Sequence, residues 1–326
     1  MTAPARDSRV LAAVVNYKRA DLTMATVESL LALGTDVPVR IMVIDSASGA
    51  SDLGALRAGL SPQVEIVALD VNRGYGAACN AAIRLACRDG IPYVWLLNND
   101  ITLESGCLTE LVAALDDNAH LAAVAPTVVE FDRPDLILSC GVDVSMWRGR
   151  THHRRWGRST AELPAGVEFV DALEASALLV RTAATEAFGG FDESFFMYWE
   201  DLEWSVRASQ HGWRLASVAQ ARILHRLSQS STPIDRLEYM IRNRIRVVRL
   251  YGSGMDQVSF MAYMTLGWLP AYALTRMLFH YGPTATARTI LRPLLWNVRD
   301  SMRRRHWRLT RADQEIGTCE GPPPNE

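Results

Sequence analysis

The chain has 326 residues, 49% of them hydrophobic and 21% charged, with a formal net charge of −2. That balance excludes an intrinsically disordered protein and suffices to bury one large core or two smaller ones. Five cysteines (Cys79, Cys87, Cys107, Cys140, Cys319) are odd in number, form no CxxC pair and follow no signal-peptide pattern, which argues against a disulfide framework and predicts reduced thiols in a cytoplasmic compartment.

Val10–Val15 is an apolar run of strand length, and Asp21–Leu33 has helical spacing (Leu22, Val27, Leu30, Leu31) with Asp21 as N-cap and Gly34 as stop. Arg40–Asp45 reads as a second strand ending in a carboxylate, Val64–Leu69 as a third, Ala77–Cys87 as a long helix and Tyr93–Leu97 as a fourth strand. Strands alternating with helical stretches imply parallel pairing, right-handed crossovers and ligands at the carboxyl edge of the sheet. Asp45, Asn72 and Asp100 all fall at that edge. Leu103–Leu115 is an amphipathic helix and Leu121–Val129 a strand, whereas 132–165 is rich in Arg, Gly, Pro and His and reads as a long functional or mobile loop. Its Arg148, Arg150, His152, His153, Arg154 and Arg155 either contact phosphate or form a solvated face. Phe169–Val180 is strand-rich, Gly189-Gly190 is a turn, and a helix runs from Trp199 to Gln210 with Leu202, Val206 and Trp213 on its buried side. The fold class is α/β, with a mainly parallel sheet flanked by helices. The expected division is one α/β domain at 1–230 in two halves (1–100 and 101–230), a basic helical region at 231–311 and a disordered tail at 312–326.

Three patterns carry chemistry. The strand Tyr93-Val-Trp-Leu-Leu-Asn-Asn-Asp100 delivers a hard oxygen ligand to the sheet edge, which suits Mg2+ or Mn2+ holding a diphosphate, although Asp and Asn are also ordinary turn formers. In Asn72-Arg-Gly-Tyr-Gly-Ala-Ala-Cys-Asn80, Arg73 and two glycines precede a helix N-terminus, where backbone N–H groups favour an anion; the full GxGxxG of a nicotinamide site is absent. Arg73 reads equally as a surface residue. Glu200 and Asp201 open a helix beside Phe195, Phe196, Tyr198, Trp199 and Trp204. A carboxylate there either complements the helix dipole or acts as a general base on an acceptor hydroxyl, and the rings either line a sugar cleft or fill the core.

Val15-Asn16-Tyr17, Val43-Ile-Asp45-Ser-Ala-Ser48, Asn72–Asn80, Leu96-Leu-Asn-Asn-Asp100, Gly189-Gly-Phe-Asp-Glu-Ser-Phe-Phe-Met-Tyr-Trp-Glu-Asp201 and His225 occur in an order that resembles the family 2 inverting glycosyltransferases, over roughly residues 8–250. That family has the GT-A fold, and the chain looks most like its rhamnosyltransferase branch. The resemblance implies donor contacts from Asn16, Tyr17, Asp45, Asn72, Arg73, Asn98 and Asn99, a divalent cation at Asp100 with His225 near it, and acceptor contacts from Gly190, Phe191, Tyr198 and Trp199. It makes Asp201 the base, with Glu200 beside it as the second candidate. By the residues alone, His225 is equally a strand-end histidine without a ligand. The chain departs from the pattern at Lys18, at Asn98 in place of the first acid of a DxD, at Ser228, and at Glu174-Ala175. The QxxRW signature of processive polymerases is absent after Asp201, so one transfer per encounter is expected.

Beyond residue 230 the character changes. Tyr239–Tyr251 is a basic amphipathic helix whose Arg242-Asn243 pair also resembles the rhamnosyltransferase branch. Val258–Thr275 runs eighteen residues without a charge, interrupted by Gly267 and Pro270, and 276–311 carries nine Arg and one Asp, a net +8 that leaves −10 for the rest. Interfacial attachment to an anionic membrane is the preferred reading of this C-terminal extension, over a spanning or re-entrant helix and a buried cap. The chain is thus expected to transfer a sugar from a nucleotide-diphosphate donor to a lipid-linked saccharide in envelope or exopolysaccharide assembly at the inner face of the cell membrane, with no nucleic-acid partner. A sugar nucleotidyltransferase and a non-catalytic nucleotide-sugar-binding scaffold are the alternatives; the first would need a glycine-rich basic loop after the first strand, where Asn16–Asp21 has no glycine.

Overall fold

The computed structural model describes residues 8–226, 233–271, 273–274 and 290–302. The expectations for 276–289, 303–311, the 312–326 tail and Ser228 lie outside those residues.

The first half follows the strand–helix alternation. Strands β1 (Val10–Asn16), β2 (Val39–Asp45), β3 (Glu65–Ala68) and β4 (Tyr93–Asn98) are joined through helices α1 (Ala20–Leu31), α2 (Ala50–Gly59) and α3 (Tyr75–Arg88). β1 pairs in parallel with both β2 and β4, and β3 extends the sheet beyond β2. These strands are apolar at nearly every position because both faces are covered. Val10, Ala12 and Val14 pack in the layer of α1, while Leu11, Ala13 and Val15 pack in the layer of α3.

The second half adds β5 (Ile101–Leu103), α4 (Cys107–Asp117), β6 (Leu121–Glu130), β7 (Ile137–Ser139), β8 (Val142–Ser145), β9 (Arg150–His153), β10 (Val167–Val170), β11 (Ala177–Arg181), α5 (Thr182–Phe188), α6 (Glu200–Gln210) and β12 (Arg214–His225). The sheet order is β10-β12-β6-β11-β4-β1-β2-β3. β11 is antiparallel to β4 and β6, and β12 is parallel to β6, so β1, β2, β4, β6 and β12 all end at one edge. Helices α7 (Pro233–Tyr251) and α8 (Gly254–Ala262), a wide π-helical turn at Tyr263–Trp268 and a helix at 290–302 complete the described chain.

Several expectations are corrected. Arg19, not Asp21, is the N-cap of α1, and Asp21 pairs with it at 2.9 Å. The start of the Leu103–Leu115 segment is strand β5, because Ile101–Leu103 pairs with β12; α4 begins only after Gly106, whose φ of +78° turns the chain. Residues 132–165 are not an irregular loop: they hold β7 and the β8–β9 hairpin. On α6 the buried side is Leu202, Trp204 and Ala208, with Val206 only half-buried. Helix α7 joins the core of the second half, where Val247 packs with Phe195, Trp199 and Leu202. No described helix is long and apolar enough to cross a membrane.

Candidate active site

The shared strand edge opens into a cavity of about 560 Å³. Tyr17, Asn72, Asn98, Asn99 and Asp100 line one side of it; Tyr198, Trp199, Glu200, Asp201 and His225 also line it. Asp100 and His225 are far apart in sequence, but β5 pairs Ile101 with His225, and the Arg226 N–H donates to the Asp100 carbonyl at 2.9 Å. Their side chains meet as a result, with His225 Nε2 3.1 Å from Asp100 Oδ1. Among the described residues no three His, Cys, Asp or Glu side chains gather as a metal cluster. A carboxylate and an imidazole on one cavity wall nevertheless fit a divalent ion whose remaining positions come from substrate phosphates and water, the usual arrangement for Mg2+ and Mn2+ in phosphate sites.

Under this wall lies a buried polar network. Asn16 Nδ2 donates to Asp45 Oδ1 at 2.7 Å and to Asp52 Oδ2 at 2.6 Å, while its carbonyl accepts from the Thr23 hydroxyl at 2.6 Å. Thr23 in turn accepts from Asn99 Nδ2 at 3.1 Å. Asp45 also accepts from the Ser48 N–H at 3.1 Å and is buried, so Asn16 and Asp45, expected at the donor, stand one layer beneath the cavity, where Ser46 is the lining residue. The network fixes Asn99 beside Asp100 and the β1 and β2 ends beside each other.

The glycine loop also departs from expectation. Rather than cradling an anion with free N–H groups, Tyr75 N–H donates to the Phe196 carbonyl at 2.9 Å and Gly74 N–H to Asn72 Oδ1 at 2.8 Å. A Cβ on Gly74 would stand 1.9 Å from the Phe196 oxygen, and its φ is +94°, so glycine is required for this backbone contact. Arg73 is exposed and does not line the cavity among the described residues. Gly190 and Phe191, expected at the acceptor, are instead clasped from behind: Asn80 exchanges hydrogen bonds of 2.9 and 2.8 Å with the Phe191 backbone, and the Phe191 ring packs on Trp204 in the core.

The segment before α6 presents the acids. Phe196, Tyr198 and Trp199 all have positive φ (64°, 64° and 72°), a costly conformation for aromatic residues. It is held by α7. Asn243 Nδ2 donates to the carbonyls of Phe195, Met197 and Tyr198 at 3.1, 2.9 and 2.6 Å, and Arg242 reaches the Ser194 and Phe195 carbonyls. Asp201 then accepts from the N–H groups of Ala175 at 3.1 Å and Leu202 at 2.8 Å. Burial, reinforced by Glu174, raises its carboxyl above the usual range despite these bonds. Glu200 is pushed up to about 8 by burial and by Asp201, and its Oε2 has no hydrogen-bond partner among the described residues. Phe195 and Trp204 are core, whereas Tyr198 and Trp199 reach the cavity.

The remaining lining includes Thr151, Trp156 and Ser176, which no motif marked, together with His153 of the Arg/His cluster and Glu174 of the departure at Glu174-Ala175. His153 Nδ1 lies 3.4 Å from Glu174 Oε1. Burial alone would lower the imidazole and raise the carboxyl, but each is outweighed by the partner, leaving His153 above and Glu174 below its ordinary value. No spacing rule marks a pair 21 positions apart, with strand β10 between its members.

Residues 12–159 match the model of Glycosyl transferase family 2. Among curated proteins, the chain is 29% identical over 226 residues to the N-acetylglucosaminyl-diphospho-decaprenol L-rhamnosyltransferase of Mycobacterium tuberculosis (strain ATCC 25618 / H37Rv), covering 62% of this chain and 71% of that protein. It is 20% identical over 185 residues to the dTDP-rhamnosyl transferase RfbF of Shigella flexneri, covering 56% and 59% respectively. Among solved structures, GalNAc-T7 with UDP, GalNAc and Mn2+ aligns with a TM-score of 0.60 at 14% identity, over 88% of this chain but only 57% of its own. The mannosyltransferase PcManGT from Pyrobaculum calidifontis, in complex with GDP-Man and Mn2+, aligns at 0.52 and 17% identity over 92% and 90%. The mixed sheet with flanking helices is thereby the GT-A fold, which the chain was expected to have. Family model, relatives and fold agree: the chain is a glycosyltransferase whose residues 12–159 match family 2, and it is similar to rhamnosyltransferases.

Proposed function

We propose that the protein is an inverting transferase that moves a sugar, rhamnose on the strength of its relatives, from a nucleotide-diphosphate donor to a hydroxyl of a lipid-linked saccharide. The observation that carries this reading is the convergence of Asp100, His225, Glu200 and Asp201 on one cavity. The donor lies along the β1 and β4 ends, with its base and ribose toward Tyr17 and Ser46 and its diphosphate toward Asn72, Asn99 and Asp100. Asp201 takes the acceptor proton; the freed oxygen attacks the anomeric carbon as the bond from that carbon to the diphosphate breaks, and one displacement inverts the centre. The hydrogen bonds from Ala175 and Leu202 aim the carboxylate, and its raised affinity for protons suits a base. Asp100 and His225 are the residues that would hold a divalent cation, which when bound offsets charge on the departing diphosphate. Relatives named for dTDP-rhamnose and for a diphospho-decaprenol acceptor support the choice of substrates.

The test is nucleotide release from dTDP-rhamnose with Mn2+ and a short-chain N-acetylglucosaminyl diphosphate lipid. Acceptor-dependent release of dTDP is expected. Donor binding without release would instead favour the non-catalytic scaffold. Attachment to an anionic membrane surface through the C-terminal helices completes the proposal.

A further inference from the structure

The segment between β6 and β10 forms one wall of the cavity, and the role given to it below rests on the transferase reading above. Arg154 and Arg155 there are already paired within the protein. Arg154 donates to Asp143 at 2.7 Å and to the Phe169 carbonyl at 2.8 Å, and Arg155 donates to Glu168 at 2.6 Å. Arg148 lies over the Trp147 ring at 4.2 Å. The first two pairs fasten a tight turn, closed by Trp156 N–H to the His153 carbonyl at 3.4 Å, with Arg155 at φ 57° and Gly157 at φ 75°. The turn thus spends its charges on its own geometry, and what it presents is a ring.

That ring is Trp156, 56% exposed and lining two cavities: the one that holds Asp201, and a second of about 540 Å³ bounded also by His152, Arg155, Arg158 and Glu162. A single exposed ring is ordinary on a protein surface, and what singles out Trp156 is that it lines the same cavity as Asp201. Beside it, His153 sits 5.9 Å away ring to ring, and the His153–Glu174 pair faces the first cavity with both side chains about one-third exposed. Glu174 is bound to the base through the chain, since the next residue, Ala175, donates its N–H to Asp201. A flat apolar ring beside a carboxylate and an imidazole matches the two faces of a pyranose: C–H bonds stack on the ring, and hydroxyls donate to the carboxylate and accept from the imidazole.

We propose that Trp156, His153 and Glu174 form the subsite for the acceptor saccharide, with Trp156 under the ring of the sugar whose hydroxyl is presented to Asp201. The proposal assigns neutral-sugar recognition, not phosphate binding, to this segment, and makes Trp156 and Glu174 determinants of acceptor specificity.

Saturation-transfer NMR with octyl N-acetylglucosaminide, on the full chain with Mn2+ and dTDP, tests it. Wild type should show saturation of the sugar protons; Trp156→Ala and Glu174→Gln should each weaken glycoside affinity tenfold or more, and Trp156→Phe, which keeps a ring, should stay within threefold. Because Trp156 is exposed, its replacement is compatible with folding, and dTDP affinity by calorimetry verifies each variant. No saturation in wild type, or equal affinity in Trp156→Ala and Glu174→Gln, overturns the subsite. Release of dTDP from dTDP-rhamnose separates this from the parent reading: turnover with unchanged glycoside affinity in the variants removes the subsite alone, whereas glycoside binding lost in the variants without turnover in wild type removes the transferase reading alone.

Discussion

Asp201 and Glu200 are neighbours that meet different surroundings. Two backbone N–H groups hold the Asp201 carboxylate, whereas Glu200 Oε2 is buried without a hydrogen-bond partner among the described residues. Asp201→Asn keeps the shape and loses the proposed base, so steady-state kinetics should give a turnover reduced about a hundredfold or more with dTDP affinity retained. Full turnover in that variant would transfer the role to another group. Asp100→Ala should remove Mn2+-dependent binding of dTDP in calorimetry while leaving the weaker metal-free binding, and equal affinities with and without Mn2+ in wild type would sink the cation assignment. Glu200 makes a separate prediction about pH. Its ordinary value is 4.5 and the fold raises it to about 8, so the folded state binds more protons between those values. The contribution to stability is therefore complete below the ordinary value and is lost as pH climbs toward the folded one, by at most about 1.4 kcal/mol per pH unit. Denaturant melts between about pH 5 and 8 should show a steeper fall for wild type than for Glu200→Gln, which cannot ionise.

The presentation of these acids depends on contacts between elements far apart in the chain. Asn243 on α7 satisfies three carbonyls of a segment with unfavourable φ, and Gly74 at the start of α3 lets that segment approach. Asn243→Ala leaves buried carbonyls unpaired and should cost about 1–3 kcal/mol in unfolding free energy. It should also lower kcat more than it raises the donor KM, because the Asp201 carboxylate follows the segment; an unchanged kcat would reduce Asn243 to a structural role. The parallel strands and their helices were legible in the sequence, because a strand buried on both faces leaves a continuous apolar run such as Val10–Val15. The β8–β9 hairpin was not, because only β8 carries valines, β9 is polar and largely exposed, and the turn after it is held by distant partners such as Glu168 for Arg155. The motif residues Asp100, His225, Glu200 and Asp201 were named by family resemblance. Their juxtaposition depends on β5–β12 pairing, which an amphipathic pattern beginning at Leu103 concealed. The glycine loop misled for a related reason: Gly74 is demanded by a carbonyl of another segment, and local sequence cannot distinguish that from a phosphate.

At its C-terminal side the protein keeps apolar residues in water that nothing in the described structure covers. Met255, Val258 and Leu266 are 80%, 72% and 83% exposed. On the 290–302 helix, Leu291, Leu295, Val298 and Met302 recur at helical spacing along one exposed side, while the opposite side is tied to α7 through Asn297 and Asp300. A helix with an exposed apolar side and arginine-rich surroundings is suited to the boundary between headgroups and acyl chains. Residues 276–311 carry a net +8, which anionic lipid would attract. Vesicles containing phosphatidylglycerol should therefore sediment the protein, and vesicles of phosphatidylcholine alone should do so less. Raising salt to about 1 M, where the screening length shrinks to about 3 Å, should remove most of the difference between them. Val258→Glu with Leu266→Glu, and separately Leu291→Glu with Leu295→Glu, place carboxylates where acyl chains would lie and should each reduce sedimentation several-fold. These positions are exposed and remote from Asp100 and Asp201 in sequence, so dTDP affinity in solution should not change. Wild-type protein that stays in the supernatant, or variants that sediment equally, would dismiss interfacial attachment, and the exposed sides would then require another occupant.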